Sequence, residues 1–361
     1  MSDRRWTWRD AEPRDLPAQA SLFNRCFRKD KQVDTFEWKY RANPHGAALS
    51  LVALNEQEEI VGGYSYMPRR FRVNGERVVL MQASDAMVDT SARRQGIFTG
   101  LDDLVAERCG EQGVAAAFAY SGRLSYNGFL GNGWRDIGQA PLFRYRFRAE
   151  RSLRRRGRLG PLLAQAAPLL DASWRKRDAA RAARWSAARQ LLQPIERFDE
   201  GADELFEATV PERGLIGERD AAWLNWRYID SPGKRQVCFG LPARDGRGLD
   251  GWLVAEFVGG HAYLVDHLAR HDGVRTALLT AFTALAHERG VHEATALLFE
   301  HHPSAAPLRE LGYATATRRK LFRDMFPYIV RLCRDDADPS HLDIDRWLLA
   351  DGDRDAEHMS P

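Results

Sequence analysis

The chain repeats itself. Around Trp38 it reads FEWKYRANP (36–44) and around Trp226 it reads LNWRYIDSP (224–232), agreeing at Trp, a cation, Tyr and Pro, with the two tryptophans 188 residues apart. Two extended apolar segments follow each copy, 51–54 and 61–66 in the first half, 237–240 and 251–257 in the second. A third strand candidate comes next, 84–89 or 263–269, and then a helical pattern ended by glycine, 98–109 or 274–288. Each half continues with a further strand, 115–120 or 294–299, and a short helix closed by a glycine and an aromatic, Gly133-Trp134 or Gly312-Tyr313. An order kept through so many elements, with an offset drifting by only about ten residues, is the signature of a duplicated unit. The expected fold class is α/β (α+β), in two similar units.

The expected boundaries are a first unit over 1–148, an Arg-rich and helical linker over 149–194, a second unit over 195–330 and an acidic tail over 331–361. With 361 residues, 44% of them hydrophobic, there is material for a core in each unit. The net charge of +3 argues against a protein that coats nucleic acid. Cys26, Cys109, Cys238 and Cys333 lie far apart with no CxxC, which fits reduced thiols in a cytoplasmic compartment. The opening MSDRRWTWRD lacks the apolar core of a signal peptide, and no run approaches the roughly 20 apolar residues of a membrane span.

Residues 143–158 hold eight arginines. We read them as a solvated connector, packed by Leu162, Leu163, Leu169 and Trp174 onto one unit. The alternative is a basic surface for an anionic membrane, polysaccharide or nucleic acid, and interleaved Trp174 and Trp185 allow the membrane contact. The tail is expected to be irregular apart from a strand or helix turn at 347–350, and no role is assigned to it.

The most informative motif is RRQGIFTG, residues 93–100, between the apolar Ala86, Met87 and Val88 and the helical pattern of Leu101, Leu104 and Val105. A glycine-containing turn that opens a helix frees backbone N–H groups at the positive end of the helix dipole, and two arginines beside them suit a pyrophosphate. The order of strand, RxxGxx turn, long helix, strand, short helix and Gly plus aromatic resembles the GNAT superfamily of N-acetyltransferases, which implies for each unit a mixed, mostly antiparallel central sheet flanked by helices. VDTSARRQGIF looks like that family's acyl-CoA loop, and Trp8, Arg9, Asp15 and residues 16–27 look like its first strand and helix.

The resemblance implies that Arg93, Arg94, Gln95, Gly96, Ile97, Phe98 and Thr99 hold the pyrophosphate of acetyl-CoA or another acyl-CoA. Pantetheine would pair with the strand at Ala86 to Val88, and a backbone N–H near Met87 or Val88 would serve as oxyanion donor. Phe98 departs from the family's usual Gly or Ala and can crowd the phosphates. In the second half the matching stretch HDGVRTALLT (271–280) has one Gly and one Arg, so cofactor binding is expected in the first unit alone.

Acyl transfer to an amine needs a base and a proton source for the departing thiolate. Asp85, on the strand leading to the loop, is the candidate base, although it can equally fix the strand end or bind the acceptor's ammonium. The family's usual acid position holds Phe129 here, so Tyr126 is the candidate acid, with Tyr120 at the strand end as an alternative. Aromatic packing also explains Tyr126. The pairs Trp38/Trp226 and Tyr40/Tyr228 are read first as packing anchors. His301-His302 is a poor metal site, and no metal is expected.

The expected function is acyl-CoA-dependent N-acylation of a small-molecule, amino-sugar or peptide amine by direct attack in a ternary complex. Two alternatives come from other classes. One is a non-catalytic acyl-CoA-binding protein, and the other is an aminoacyl-tRNA-dependent transferase of related fold using the basic linker.

Overall fold

The computed structural model describes residues 6–149, 162, 165, 167–212, 214–243, 246, 248–316 and 320–355. In chain order its strands are β1 (Thr7–Asp10), β2 (Leu49–Leu54), β3 (Ile60–Val73), β4 (Glu76–Val88), β5 (Ala116–Tyr120), β6 (Arg135–Arg146), β7 (Gln193–Ile195), β8 (Leu215–Gly217), β9 (Gln236–Pro242), β10 (Leu249–Val258), β11 (His261–Ala269), β12 (Glu293–Leu297), β13 (Met325–Leu332) and β14 (Trp347–Leu348). Four helices matter for the site: α1 (Leu16–Phe27), α2 (Val33–Tyr40), α3 (Ile97–Glu111) and α4 (Tyr126–Leu130).

One mixed sheet runs in the order β1-β2-β3-β4-β5-β13-β6-β12-β11-β10-β9-β7, with β8 pairing both β3 and β14. Most pairings are antiparallel, and β4–β5, β11–β12 and β8–β14 are parallel. The sheet does not break near residue 148. Strand β13, from late in the chain, lies between β5 and β6, while β6 pairs with β12. Each half thus lends one strand to the other.

Strands β3 and β4 run farther than the apolar segments suggested because Asn74 and Gly75, both at positive φ (51° and 85°), close a two-residue hairpin at Val73 and Glu76. An Asn-Gly pair adopts that turn at little cost, and its twist matches the strands. Apolar side chains of β2 to β5 meet α3 in one core, with Leu51, Tyr64, Tyr66, Ile97, Leu101 and Val105 buried. A second core forms around Leu278, Phe282 and Leu285 of the helix Asp272–Glu288.

Two expectations for the middle of the chain are corrected. Residues 143–146 are strand, not connector: Phe143, Tyr145 and Phe147 alternate into the core, while Arg144 and Arg146 pair with Glu293 and Arg144 also with Asp324. Leu162 and Leu169 do not pack, being 63% and 79% exposed, whereas Trp174 does lie against Ala149 and Ala167. Arg151, Arg154, Arg155, Arg156, Arg158 and Leu163 lie outside the described residues.

The tail is packed into the fold as far as Asp355. Asp353 is fully buried, its carboxylate accepting from Arg69 at 3.2 Å, Arg219 at 2.6 Å and the Ala350 N–H at 2.9 Å. Among the described residues no helix is long and apolar enough to cross a membrane.

Candidate active site

Strands β4 and β5 pair only at Met81–Ala117 and Gln82–Phe118 and then part. Just beyond, β4 carries an irregularity: Ser84 and Met87 face Ser65 and Gly63, so Asp85 and Ala86 together oppose Tyr64. Such a bulge re-aims side chains and ends pairing. Asp85 sits at φ 52°, a left-handed conformation that Asp tolerates better than most residues. Between the parted strands lies a cleft of about 770 Å³, walled by β4 and β5, the end of α1, and Phe98 of α3. That size suits a small-molecule site.

The predicted turn stands at one end of this cleft. Arg94 (φ 65°) and Gly96 (φ 75°) both take the left-handed conformation, and Gly96 immediately precedes α3 without a side-chain cap. Gly100 N–H to Gly96 O, 2.9 Å, is an early bond of the helix ladder, so the amides ahead of it point out of the helix start. Arg93, Arg94, Gln95 and Thr99 are exposed, while Ile97 is buried and can offer a ligand only its backbone. The Gln95 carbonyl is tied down by the Trp6 indole N–H at 3.0 Å.

Phe98 packs beside Gly128 at the cleft wall. Its ring leans into the cleft, with centroids 6.1 Å from Tyr64 and 5.2 Å from Phe129. On the strand side Met87 is buried, and the Val88 carbonyl accepts a long bond from the Cys26 thiol at 3.4 Å.

Asp85 is the nearly buried carboxylate of the cleft, 2.9 Å from Lys39 Nζ and accepting from the Tyr40 hydroxyl at 2.8 Å. Asp355, carried in by the tail, accepts from Ser84 Oγ at 3.2 Å and stands 3.9 Å from Lys39. Lys39 and Asp355 were missed in the sequence because one looked like a helix surface residue and the other like tail. The two tyrosines separate clearly. Tyr126 is not among the cleft residues: it donates to Asp136, packs on Phe322, and burial with that bond pushes its hydroxyl up to about 12. Tyr120 does line the cleft, and its buried hydroxyl has no partner among the described residues. Burial raises that hydroxyl well above the ordinary tyrosine range, so it stays a neutral donor.

Gly133-Trp134 also finds its reason: the Trp134 indole donates to Asp102 of α3, at 3.0 Å to one oxygen, and Asp102 also takes Tyr66 at 2.9 Å and Arg331 at 2.5 Å. This hub fixes the helix whose start forms the turn. Residues 7–135 match the family described as Acetyltransferase (GNAT) domain. The turn and every cleft residue but Asp355 fall inside the matched segment, which supports an acyltransferase.

The fold beyond the GNAT domain is shared as well. The chain is similar to a GCN5-related N-acetyltransferase from Anabaena variabilis (TM-score 0.59, 12% identity, 91% of this chain and 73% of that one). It is similar to a probable N-acyltransferase from Enterococcus faecalis (0.59, 10%, 91% and 73%). It is also similar to Saccharomyces cerevisiae N-myristoyltransferase, solved with bound myristoyl-CoA (0.55, 11%, 91% and 79%). At these identities the likeness speaks for architecture. No curated protein matches the sequence.

In the other half the tail packs beside the ends of β11 and β12. Leu298, just past β12, bridges to Ala350 of the tail, and a Cβ at Gly352 would overlap the Tyr228 hydroxyl and reach Asp266 at 3.0 Å. The helix start there is capped by its own side chain, His271 Nδ1 accepting from Val274 N–H at 3.4 Å.

His301 and His302 bond to Trp347 O and Ser304 N–H. His45, Glu218 and Asp220 bring ligand atoms within 4.8 Å of one another. His45 Nδ1, however, accepts the Arg70 N–H at 3.0 Å, so its other nitrogen carries the proton and offers a donor where a cation needs a lone pair.

Proposed function

We propose that this protein transfers an acyl group, acetyl in the first instance, from coenzyme A to the amine of a small molecule, an amino sugar or a peptide. The observation that carries this is the opening of β4 from β5 beside the uncapped start of α3, within the matched domain. The amides of Arg94 to Thr99, with Arg93, would take the pyrophosphate. The freed edge of β4 from Ala86 to Val88 would pair with pantetheine as an added strand. A backbone N–H at Met87 or Val88 would face the oxyanion, and holding both reactants in one cleft supplies much of the rate.

Asp85 is our choice to receive the amine's proton, directly or through water. Tyr120 replaces Tyr126 as our choice to protonate the thiolate, because it lines the cleft and its buried hydroxyl has no partner among the described residues, whereas the Tyr126 hydroxyl is committed to Asp136. Residues 195–330 would then be a second copy that has lost its cofactor turn and whose cleft the tail occupies. The four cysteines are all free, which supports a reducing compartment such as the cytoplasm. With Tyr120 as the acid, Phe129 at the usual acid position would not require a merely acyl-CoA-binding protein.

Calorimetry with coenzyme A, followed by thiol release from acetyl-CoA against pooled amines, tests the reading. Binding that Gly96→Trp abolishes, and amine-dependent release, are expected. No heat with coenzyme A would overturn it.

A further inference from the structure

We infer, resting on that reading, that the acceptor is a monoamine bearing an apolar, preferably aromatic, group. Asp85 and Asp355 bring two carboxylates to one lysine, Lys39, so the floor of the cleft is acidic and receives an ammonium. A ladder of rings leads away from that floor. Tyr40 donates to Asp85 at 2.8 Å, and the ring centroids then step 5.8 Å to Phe36, 5.2 Å to Phe23 and 4.7 Å to Phe27. Phe23 and Phe27 line the cleft, and Phe27 is 39% exposed. Across from them Leu124 lines the same cleft at 94% exposure. Large apolar side chains left in water beside a carboxylate floor are placed for a ligand that enters with both an ammonium and an apolar body.

The charges exclude other amines. Lys29 and Arg123 are exposed cations lining the same cleft, so a polyamine or a multiply charged amino sugar would meet like charge after its first ammonium docked.

The test measures kcat/KM by thiol release with phenethylamine, spermidine and glucosamine, using acetyl-CoA and decanoyl-CoA, for the wild type and Phe27→Ala. Phe27 is a surface side chain, so the variant keeps its fold, checked by its melting temperature. Phenethylamine is expected to be the best acceptor, and Phe27→Ala to raise its KM roughly tenfold with coenzyme A affinity unchanged. Preference for spermidine or glucosamine overturns the inference while leaving acyl transfer intact. So does a Phe27→Ala effect that appears with decanoyl-CoA alone, which would give the apolar wall to the acyl chain. Coenzyme A binding without release to any of the three amines, or to pooled amines, overturns the transferase reading itself.

Discussion

The indole N–H of Trp38 donates to the backbone carbonyl of Trp226 at 2.8 Å, and the indole N–H of Trp226 donates to the carbonyl of Trp38 at 3.0 Å. The rings stack with centroids 4.6 Å apart. The repeated motif is thus its own partner: each copy anchors the other half of the chain. The neighbouring tyrosines keep the correspondence, Tyr40 bonding Asp85 and Tyr228 bonding Asp266, each near 2.9 Å.

Replacing either tryptophan with alanine removes buried area and strands a carbonyl on the other side. Trp38→Ala and Trp226→Ala should each cost about 3–5 kcal/mol, read as a fall in the urea midpoint. The double variant should lose clearly less than the sum, because both side chains serve one contact. Additive losses would show that the two rings stabilise their halves independently.

Much of the fold was legible because amphipathic period and glycine punctuation are local. The extents of α1, α3, β2 and β9 to β12 follow from them. Strand β6 was hidden by its chemistry: FRYRF alternates as a strand should, but its arginines read as a charge run until Glu293 and Asp324 supply partners. Strand β13 and the tail were hidden by distance, since Asp353 finds Arg69 and Arg219 at separations of 284 and 134 residues. The turn at 93–100 was readable from its own residues. The bulge that aims Asp85 depends on the register with β3, and the roles of Lys39, Asp355 and Tyr120 depend on what folds against them.

Asp85→Asn keeps the shape and the tolerance for positive φ while removing the charge. Turnover should fall by about 10²–10⁴-fold with coenzyme A affinity retained. A rate within threefold or so of wild type would reassign Asp85 to holding Lys39 and the strand end.

The tyrosines offer a paired comparison. Tyr120→Phe should lower kcat roughly 100-fold, and Tyr126→Phe, whose hydroxyl is committed to Asp136, should leave it nearly unchanged. The reverse outcome in thiol-release assays would restore Tyr126 as the acid.

Arg93 stands exposed beside the uncapped start of α3. Arg93→Ala should weaken coenzyme A roughly tenfold at low salt, and calorimetry at rising ionic strength should show that difference shrink as screening replaces the lost charge. A salt-independent defect would point to altered loop conformation.

Asp353 joins the tail to both halves, so its titration should be visible in stability. Burial would raise its carboxyl, but the Arg219 and Arg69 guanidiniums outweigh burial and hold it below the ordinary carboxylate value. A group depressed in the folded state contributes fully above its unfolded pKa of about 3.9 and loses that contribution as pH falls through the lower folded value. Asp353→Asn should therefore destabilise the protein by about 3–5 kcal/mol at neutral pH, since it leaves buried guanidinium charge uncompensated. The gap between variant and wild type in urea midpoints should hold down to about pH 4 and close only in stronger acid. A gap that closes on the alkaline side instead would mean that the folded carboxyl is raised, with burial winning over the two arginines.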